Sequence, residues 1–330
     1  MTTAPAPSPP RICIAGAGAI GGVLAARLAA AGHAVNVLAR GATLDALRRD
    51  GLRLDDQHGS AQVRVNASDQ PDFGPQDVVF VCTKSQDVAA MLTQVAPLLH
   101  AGSVVVPAVN GVPWWYFHRE GGRFDGQAID AVDPGGALGA IVPLDQVLGC
   151  IVFITAEVLA PGCVRSATPH LVMLGEPSGA MSERLAQVAS LLAGAGIEAR
   201  QIERIRDKLW VKLIANLSSN PLSVLTHATL EQLFGDPELS VVVRQVIREA
   251  LLVAASHGAR VDLDPEAFMR EGRAMGRVRT SMLQDHLRGR PLELAAIGDA
   301  VLELADRYQL PMPITRTIVS LVRFRSREET

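Results

Sequence analysis

Apolar residues in the first half of the chain fall into blocks of two kinds. Four short apolar runs have the length of buried strands, at residues 11–15, 34–38, 78–82 and 103–106. Three intervening stretches repeat their apolar positions with helical spacing, at residues 20–31, 41–50 and 86–99. This alternation predicts βαβ units, and therefore a parallel sheet with helices on both faces.

The alternation stops at about residues 114–146, a stretch rich in Gly, Asp and Pro that we interpret as an inserted loop. Residues 151–159 and 162–164 are then predicted to form a hairpin around Pro161-Gly162. A strand at residues 171–174, a helix at 182–195 and a strand at 197–200 are predicted to follow.

Helical periodicity dominates after about residue 203. The predicted helices are residues 206–219, 237–257, 265–275, 292–308 and 313–324. We therefore predict an α/β domain at residues 11–202, which includes the insertion, and an all-helical domain at residues 203–330.

Composition and charge exclude several classes of protein. The net charge of −3 and the absence of a basic stripe argue against a nucleic-acid partner. The four cysteines are scattered without a CxxC pair, so we predict no metal site and a reducing, cytoplasmic setting. Residues 1–10 lack the pattern of a signal peptide and are interpreted as a disordered leader. No apolar stretch has the length of a membrane span, which indicates a soluble protein.

A glycine motif lies directly between the first predicted strand and helix. Gly16, Gly18 and Gly21 form a GxGxxG pattern, in which the second glycine lets a pyrophosphate approach the backbone. Ala19 and Ile20 open the helix, where backbone N–H groups face an anion. The alternative is a merely structural glycine turn. The strand before the motif and the helix after it favour a dinucleotide-binding Rossmann-type domain.

Arg40 indicates which dinucleotide this domain binds. The second strand ends without the Asp or Glu that binds the ribose of NAD. Arg40 can instead pair with a 2′-phosphate, because guanidinium suits bidentate phosphate binding. The alternative is an exposed surface arginine. We predict NADP, used as NADPH.

A polar stripe marks the first helix of the second domain. Lys212, Asn216 and Asn220 recur every four residues and so share one face of that helix. A solvated face, with Asn220 ending the helix before Pro221, explains the spacing equally well. Ketone reduction offers a function for the stripe, because an ammonium can stabilise and protonate the oxygen that becomes negative during hydride transfer.

Four further residues are candidates by position. Lys84 and Asn110 follow predicted parallel strands, at the edge where open α/β sheets bind ligands. Ser281 and Glu293 flank a loop between predicted helices, and Glu293 could hold the ammonium or bind a substrate hydroxyl. The alternatives are a turn for Asn110, a surface residue for Lys84 and a helix-start carboxylate for Glu293.

Together these residues resemble the ketopantoate reductase (2-dehydropantoate 2-reductase) family over residues 11–325. The matching pieces are GAGAIGG at 16–22, Arg40, Thr83-Lys84, Asn110-Gly111, Lys212, Asn216, Asn220-Pro221, SMLQD at 281–285 and Glu293. The resemblance implies NADPH-dependent reduction of 2-dehydropantoate to pantoate, a step toward pantothenate and coenzyme A.

The resemblance also assigns roles to individual residues. It makes Lys212 the general acid. It implies substrate binding by Asn216, Asn220 and Ser281. Glu293 would contact the substrate hydroxyl or Lys212, close to the cofactor. Lys84 and Asn110 would lie beside the nicotinamide and the reacting carbonyl.

An aromatic run at residues 114–117 departs from the family pattern and keeps other functions open. It is either a packing patch that anchors the insertion or a pocket wall for a bulkier 2-oxo or 3-hydroxy acid. A cofactor-sensing protein without turnover is a further alternative, although the chain keeps both Lys212 and Glu293. The expected partner is a small 2-oxo acid, and no membrane partner is expected. The helical domain is compatible with a homodimer.

Overall fold

The computed structural model describes residues 9–328, so all but two residues of the predicted leader lie outside it. The described chain divides into two compact units. The first unit comprises residues 9–109 and 138–205, and the second comprises residues 110–137 and 206–328.

The first unit is built on a parallel five-stranded sheet in the order β5-β2-β1-β6-β7. Its strands are β1 (Ile12–Ala15), β2 (Val35–Leu38), β5 (Asn66–Ser68), β6 (Val78–Val81) and β7 (Val104–Pro107). Its helices are α1 (Ala19–Ala30), α2 (Gly41–Arg49) and α3 (Val88–Val95). β1 and β6 are buried along their whole length, as their continuous apolar sequence predicts. The predicted parallel sheet is confirmed.

Two smaller sheets complete the first unit. One has the order β4-β3-β10-β9 and the other β12-β11-β8. Their strands are β3 (Leu52–Asp56), β4 (Gly59–Val63), β8 (Gly149–Phe153), β9 (Ala156–Ala160), β10 (Cys163–Ser166), β11 (Leu171–Gly175) and β12 (Glu198–Gln201). The helices of this part are α4 (Leu138–Ile141) and α5 (Glu183–Gly194).

The strand prediction is wrong in three places, and the first is β5, the edge strand of the parallel sheet, which was not predicted from the sequence. The predicted strand at residues 151–159 is two strands, because β8 pairs with β11 while β9 turns back at Pro161-Gly162 to pair with β10. The β3–β4 hairpin was not predicted from the sequence. All but the last residue of β4 is exposed, so the strand carries no apolar alternation that would reveal it.

The second unit is mainly helical. Its helices are α6 (Ile205–Thr226), α7 (Leu230–Gly235), α8 (Pro237–Ser256), α9 (Pro265–Ala274), α10 (Ser281–His286), α11 (Ala300–Asp306) and α12 (Pro313–Glu328), with a π-helical segment at Ala295–Asp299. α6 continues through Pro221, so the predicted end of this helix at residue 219 is wrong. Leu217 and Leu222 are buried on either side of the proline, and this packing keeps the helix continuous.

Residues 110–137 belong to this helical unit, although they lie within the range predicted for the α/β domain. Trp115, Tyr116 and Phe117 are each 1% exposed. The Trp210 indole N–H donates to the Tyr116 hydroxyl at 2.7 Å, which ties the segment to α6. Packing of the aromatic side chains on these helices supports the association, because it removes apolar area from water.

His257 lies at the centre of this aromatic packing. Its ring contacts those of Tyr116, Phe117, Phe124 and Tyr308, with centroids 4.8–6.3 Å apart. Burial lowers the pKa of the His257 imidazole, because a charged ring is disfavoured among the aromatic side chains. Its Nε2 lies 2.9 Å from the Leu304 carbonyl oxygen, so this nitrogen carries the proton. Tyr116 and Phe117 of the aromatic run therefore pack inside the second unit, and Trp114 and Trp115 are buried as well.

Candidate active site

The glycine motif forms the tight turn between β1 and α1. Gly16 has φ of +107°, and a Cβ there would lie 2.7 Å from the Cys82 carbonyl oxygen. A Cβ at Gly21 would lie 1.9 Å from the Gly16 carbonyl oxygen. Both separations are far below van der Waals contact, so only glycine permits this turn and this approach of the helix to the strand.

Gly18 differs from the other two glycines because it borders open space. A Cβ at Gly18 would meet nothing within 4 Å. Gly18 is also the N-cap of α1, which has no side-chain cap and no acidic residue in its first turn. The N–H groups of the first turn lack helical acceptors and face an anion without competition. This loop fits the pyrophosphate of a dinucleotide.

The segment after β6 lies against the same loop. Lys84 is half-buried and precedes the 3₁₀ turn Ser85–Asp87. The Thr83 methyl carbon would lie 3.3 Å from a Cβ at Gly16. The Thr83 hydroxyl is buried and has no hydrogen-bond partner among the described residues. Leaving a buried hydroxyl unpaired costs about 1–3 kcal/mol, which marks Thr83 as a further candidate beside the loop. The signal in the sequence is its place directly after a buried strand.

Arg40 lies two residues after β2 and is the N-cap of α2. Its side chain is exposed. No hydrogen bond or ion pair within residues 9–328 engages the guanidinium. Arg40 is therefore available to an external anion.

The polar stripe of α6 is mounted on a buried apolar face. Leu209, Leu213 and Leu217 are 2–7% exposed and anchor the helix in the core of the second unit. Lys212 and Asn216 are half-buried beside them, and Asn220 is buried. A fully solvated polar face does not account for these burials.

Asn110-Gly111 is fixed against the π-helical segment that begins two residues after Glu293. The Val112 N–H donates to the Ala296 carbonyl oxygen at 2.8 Å. Gly111 has φ of +89°, and a Cβ there would lie 2.5 Å from the Ala296 Cβ. Glu293 itself is buried. The structure thus brings Asn110 and Glu293, distant in sequence, to one region of the second unit, and π-helical segments occur often at functional sites.

Ser281 is the first residue of α10 and is exposed. The preceding Thr280 caps this helix, because its hydroxyl accepts the Leu283 N–H at 3.1 Å. The Thr280 hydroxyl is also 2.6 Å from that of Ser223 on α6. This bond links the region of Ser281 to the helix that carries Asn220. Neither Ser223 nor Thr280 was singled out in the sequence.

The candidate residues divide between the units. The glycine loop, Arg40, Thr83 and Lys84 belong to the first unit, and the remaining candidates belong to the second. Within residues 9–328, no group of three or more His, Cys, Asp or Glu side chains is arranged to hold a metal ion. None of the helices in this range is both long and apolar enough to cross a bilayer.

Comparison with known proteins shows the family of the chain. Two family models match the chain: "Ketopantoate reductase PanE/ApbA" over residues 12–114 and "Ketopantoate reductase PanE/ApbA C terminal" over residues 204–326. A 2-dehydropantoate 2-reductase from Mesorhizobium japonicum is 41% identical over 316 residues, which cover 95% of this chain and 97% of the relative.

Solved structures give the same result. A Ralstonia solanacearum protein assigned as a ketopantoate reductase has a TM-score of 0.92 at 41% identity, over 98% of this chain and 99% of that one. A PanE/ApbA family ketopantoate reductase from Ralstonia eutropha has a TM-score of 0.83 at 27% identity, over 96% and 99%. The chain therefore belongs to the ketopantoate reductase family, whose members are oxidoreductases that act on CH–OH donors.

Proposed function

We propose that this protein reduces 2-dehydropantoate to pantoate with NADPH, and that Lys212 is the general acid. The assignment of the acid rests on how rarely this chain has lysine in place of arginine. Arginine outnumbers lysine 28 to 3, and the three lysines are Lys84, Lys208 and Lys212. Arginine cannot act as a proton donor at neutral pH because its guanidinium stays protonated. A lysine kept on the half-buried face of α6 is the group suited to release a proton.

The reaction of this family uses a nicotinamide nucleotide, which supplies the hydride when it is bound. As the carbonyl carbon of the 2-oxo acid accepts the hydride, its oxygen gains the electron pair of the C=O π bond. The Lys212 ammonium stabilises that charge and transfers one proton to the oxygen, which gives the hydroxyl group of pantoate. Solvent then returns a proton to the amine.

The other candidates bind and orient the substrate. We propose that the amides of Asn216 and Asn220 and the hydroxyl of Ser281 hold the substrate carboxylate and hydroxyl. Glu293 is buried and carries the carboxylate suited to hold an ammonium or a substrate hydroxyl. Asn110 is held at the same region as Glu293 by Val112 and Gly111, and we propose that it binds the nicotinamide end of the cofactor. For Lys84, in the first unit, we propose a contact with the bound cofactor.

A panel of 2-oxo acids, with NADPH oxidation followed by absorbance, tests the substrate. We expect turnover with ketopantoate to exceed that with bulkier aromatic or branched oxo acids. Two residues of the aromatic run support this order, because Tyr116 and Phe117 pack against Trp210 and His257 in the core of the second unit. Absence of turnover with ketopantoate would reject this substrate, and a preference for a bulkier oxo acid would favour the alternative reductase.

Arg40→Ala tests the choice of nucleotide. We expect the variant to bind NADPH roughly 10- to 100-fold more weakly, because charge-assisted bonds to a phosphate contribute about 1.5–3 kcal/mol. Binding of NADH should change less than about threefold. Titration calorimetry with both nucleotides gives the two dissociation constants.

Arg49→Ala is the matched control, since Arg49 is an exposed arginine on the same helix that pairs with Asp50. It removes the same charge from α2 and should leave both affinities unchanged. An equal loss of NADPH and NADH binding in Arg40→Ala would count against the role of Arg40 at the 2′-phosphate.

A further inference from the structure

Four buried polar groups form a chain of hydrogen bonds between α6 and α10. The Ser223 hydroxyl donates to the Asn220 carbonyl oxygen at 2.7 Å. It also lies 2.6 Å from the Thr280 hydroxyl, which accepts the Leu283 N–H at 3.1 Å. Ser223 is fully buried, and Thr280 is only 6% exposed.

The direction of the chain follows from the number of protons. The Asn220 carbonyl can only accept, so it uses the single proton of the Ser223 hydroxyl. The Thr280 hydroxyl must then donate to the Ser223 oxygen, while its own oxygen accepts from the Leu283 N–H. With this direction, every group in the series of hydrogen bonds is paired, and successive bonds of this kind strengthen one another.

The two ends of the chain lie beside two predicted substrate-binding residues. One end is the backbone of Asn220, next to Pro221, which lacks the N–H of an ordinary helical residue. The other end is the cap of α10, whose first residue is Ser281. The bond between Ser223 and Thr280 therefore joins two backbone positions that are about 60 residues apart in sequence.

We propose that Ser223 and Thr280 are positioning residues that fix the spacing of Asn220 and Ser281 for the 2-oxo acid. Neither side chain is assigned a contact with the substrate. Ser223 acts through the backbone of Asn220, and Thr280 acts through the start of α10, where Ser281 lies. A site orients its substrate only when the binding groups are held within fractions of an ångström. This inference rests on the proposed function, in which Asn220 and Ser281 bind the substrate.

Ser223→Ala is the sharpest test, because it removes the link to α6 and leaves the Thr280 cap of α10 in place. We expect KM for ketopantoate to rise about 5- to 20-fold, with kcat changed less than about threefold and the Kd for NADPH unchanged. Thr280→Ser keeps the hydroxyl and should retain a KM near that of the wild type. Thr280→Val keeps the shape without the hydroxyl and should raise KM at least as far as Ser223→Ala.

Ser218→Ala is the matched control. Ser218 is equally buried on the same helix, and its hydroxyl donates to the Ala215 carbonyl oxygen of its own helix at 3.3 Å. Its KM should stay within about twofold of the wild type, because that bond fixes no second element. Equal rises in KM for Ser218→Ala and Ser223→Ala, or an unchanged KM in Ser223→Ala, would overturn the positioning role.

Hydrogen exchange separates this inference from the substrate assignment, since it needs no reaction. In the free protein, Ser223→Ala should speed amide exchange in α10, and Ser218→Ala should not. Unchanged exchange in α10 would overturn the link whatever the substrate is. Absence of ketopantoate turnover in the wild type would instead reject the proposed function.

Discussion

Lys212→Ala is expected to lower turnover of the 2-oxo acid about a hundredfold or more, with NADPH binding nearly unchanged. The variant removes the group that protonates the carbonyl oxygen, and water is a poor replacement for a positioned acid. The fold should tolerate the change, because Leu213 and Trp210, not Lys212, fill the core beside α6. Single-turnover measurements at saturating NADPH report the step that this substitution affects.

Two lysine variants divide the effect into charge and proton transfer. Lys212→Arg keeps a positive charge but donates no proton near neutral pH, so we expect it to recover only part of the lost rate. Lys208→Ala is the control, since Lys208 lies one turn earlier on the same helix and is exposed. Turnover in Lys212→Ala equal to that of the wild type would remove Lys212 from the mechanism.

The sequence predicted the parts of the fold that depend on local apolar patterns. β1, β6 and β7 are continuous buried runs, and the alternation with helices implied their parallel pairing. β4 could not be found in this way because its side chains are mostly exposed. A helix boundary was predicted before Pro221 because helices usually end before a proline. The buried residues on both sides of Pro221 overrode this local preference.

The candidate site likewise has features that local spacing predicts and features that depend on long-range contacts. A motif with fixed spacing, such as GxGxxG, could be recognised because the spacing itself dictates the turn. The function of the aromatic run at residues 114–117 was undecided, since periodicity does not say which long-range neighbours a ring contacts. Its packing with Trp210 and His257 spans about 95–140 residues of sequence. The link between Ser223 and Thr280 was missed for the same reason, because it joins short polar residues on separate helices.

The glycine loop supports the second large prediction, in which two glycines only three residues apart respond differently to alanine. Gly18→Ala should leave the stability of the free protein within about 1 kcal/mol of the wild type. Its φ of −75° is ordinary for alanine, and the added Cβ meets nothing within 4 Å. The same methyl would occupy the space that a pyrophosphate needs, so NADPH binding should weaken about tenfold or more.

Gly21→Ala should instead destabilise the free protein. Its Cβ would lie 1.9 Å from the Gly16 carbonyl oxygen, which is backbone and cannot rotate away. The helix and the loop must separate, and overpacking of this kind costs about 1–3 kcal/mol or more. We expect a fall in Tm of several degrees, together with a loss of NADPH binding.

Thermal unfolding with and without NADPH distinguishes the two effects in one experiment. The wild type should gain stability on adding the nucleotide, because a ligand that binds only the folded state raises its Tm. Gly18→Ala should match the wild type without nucleotide and gain less with it, whereas Gly21→Ala should already unfold at a lower temperature alone. If Gly18→Ala gained as much as the wild type, the phosphates would not pass over the second glycine. The open space at Gly18 would then need another explanation.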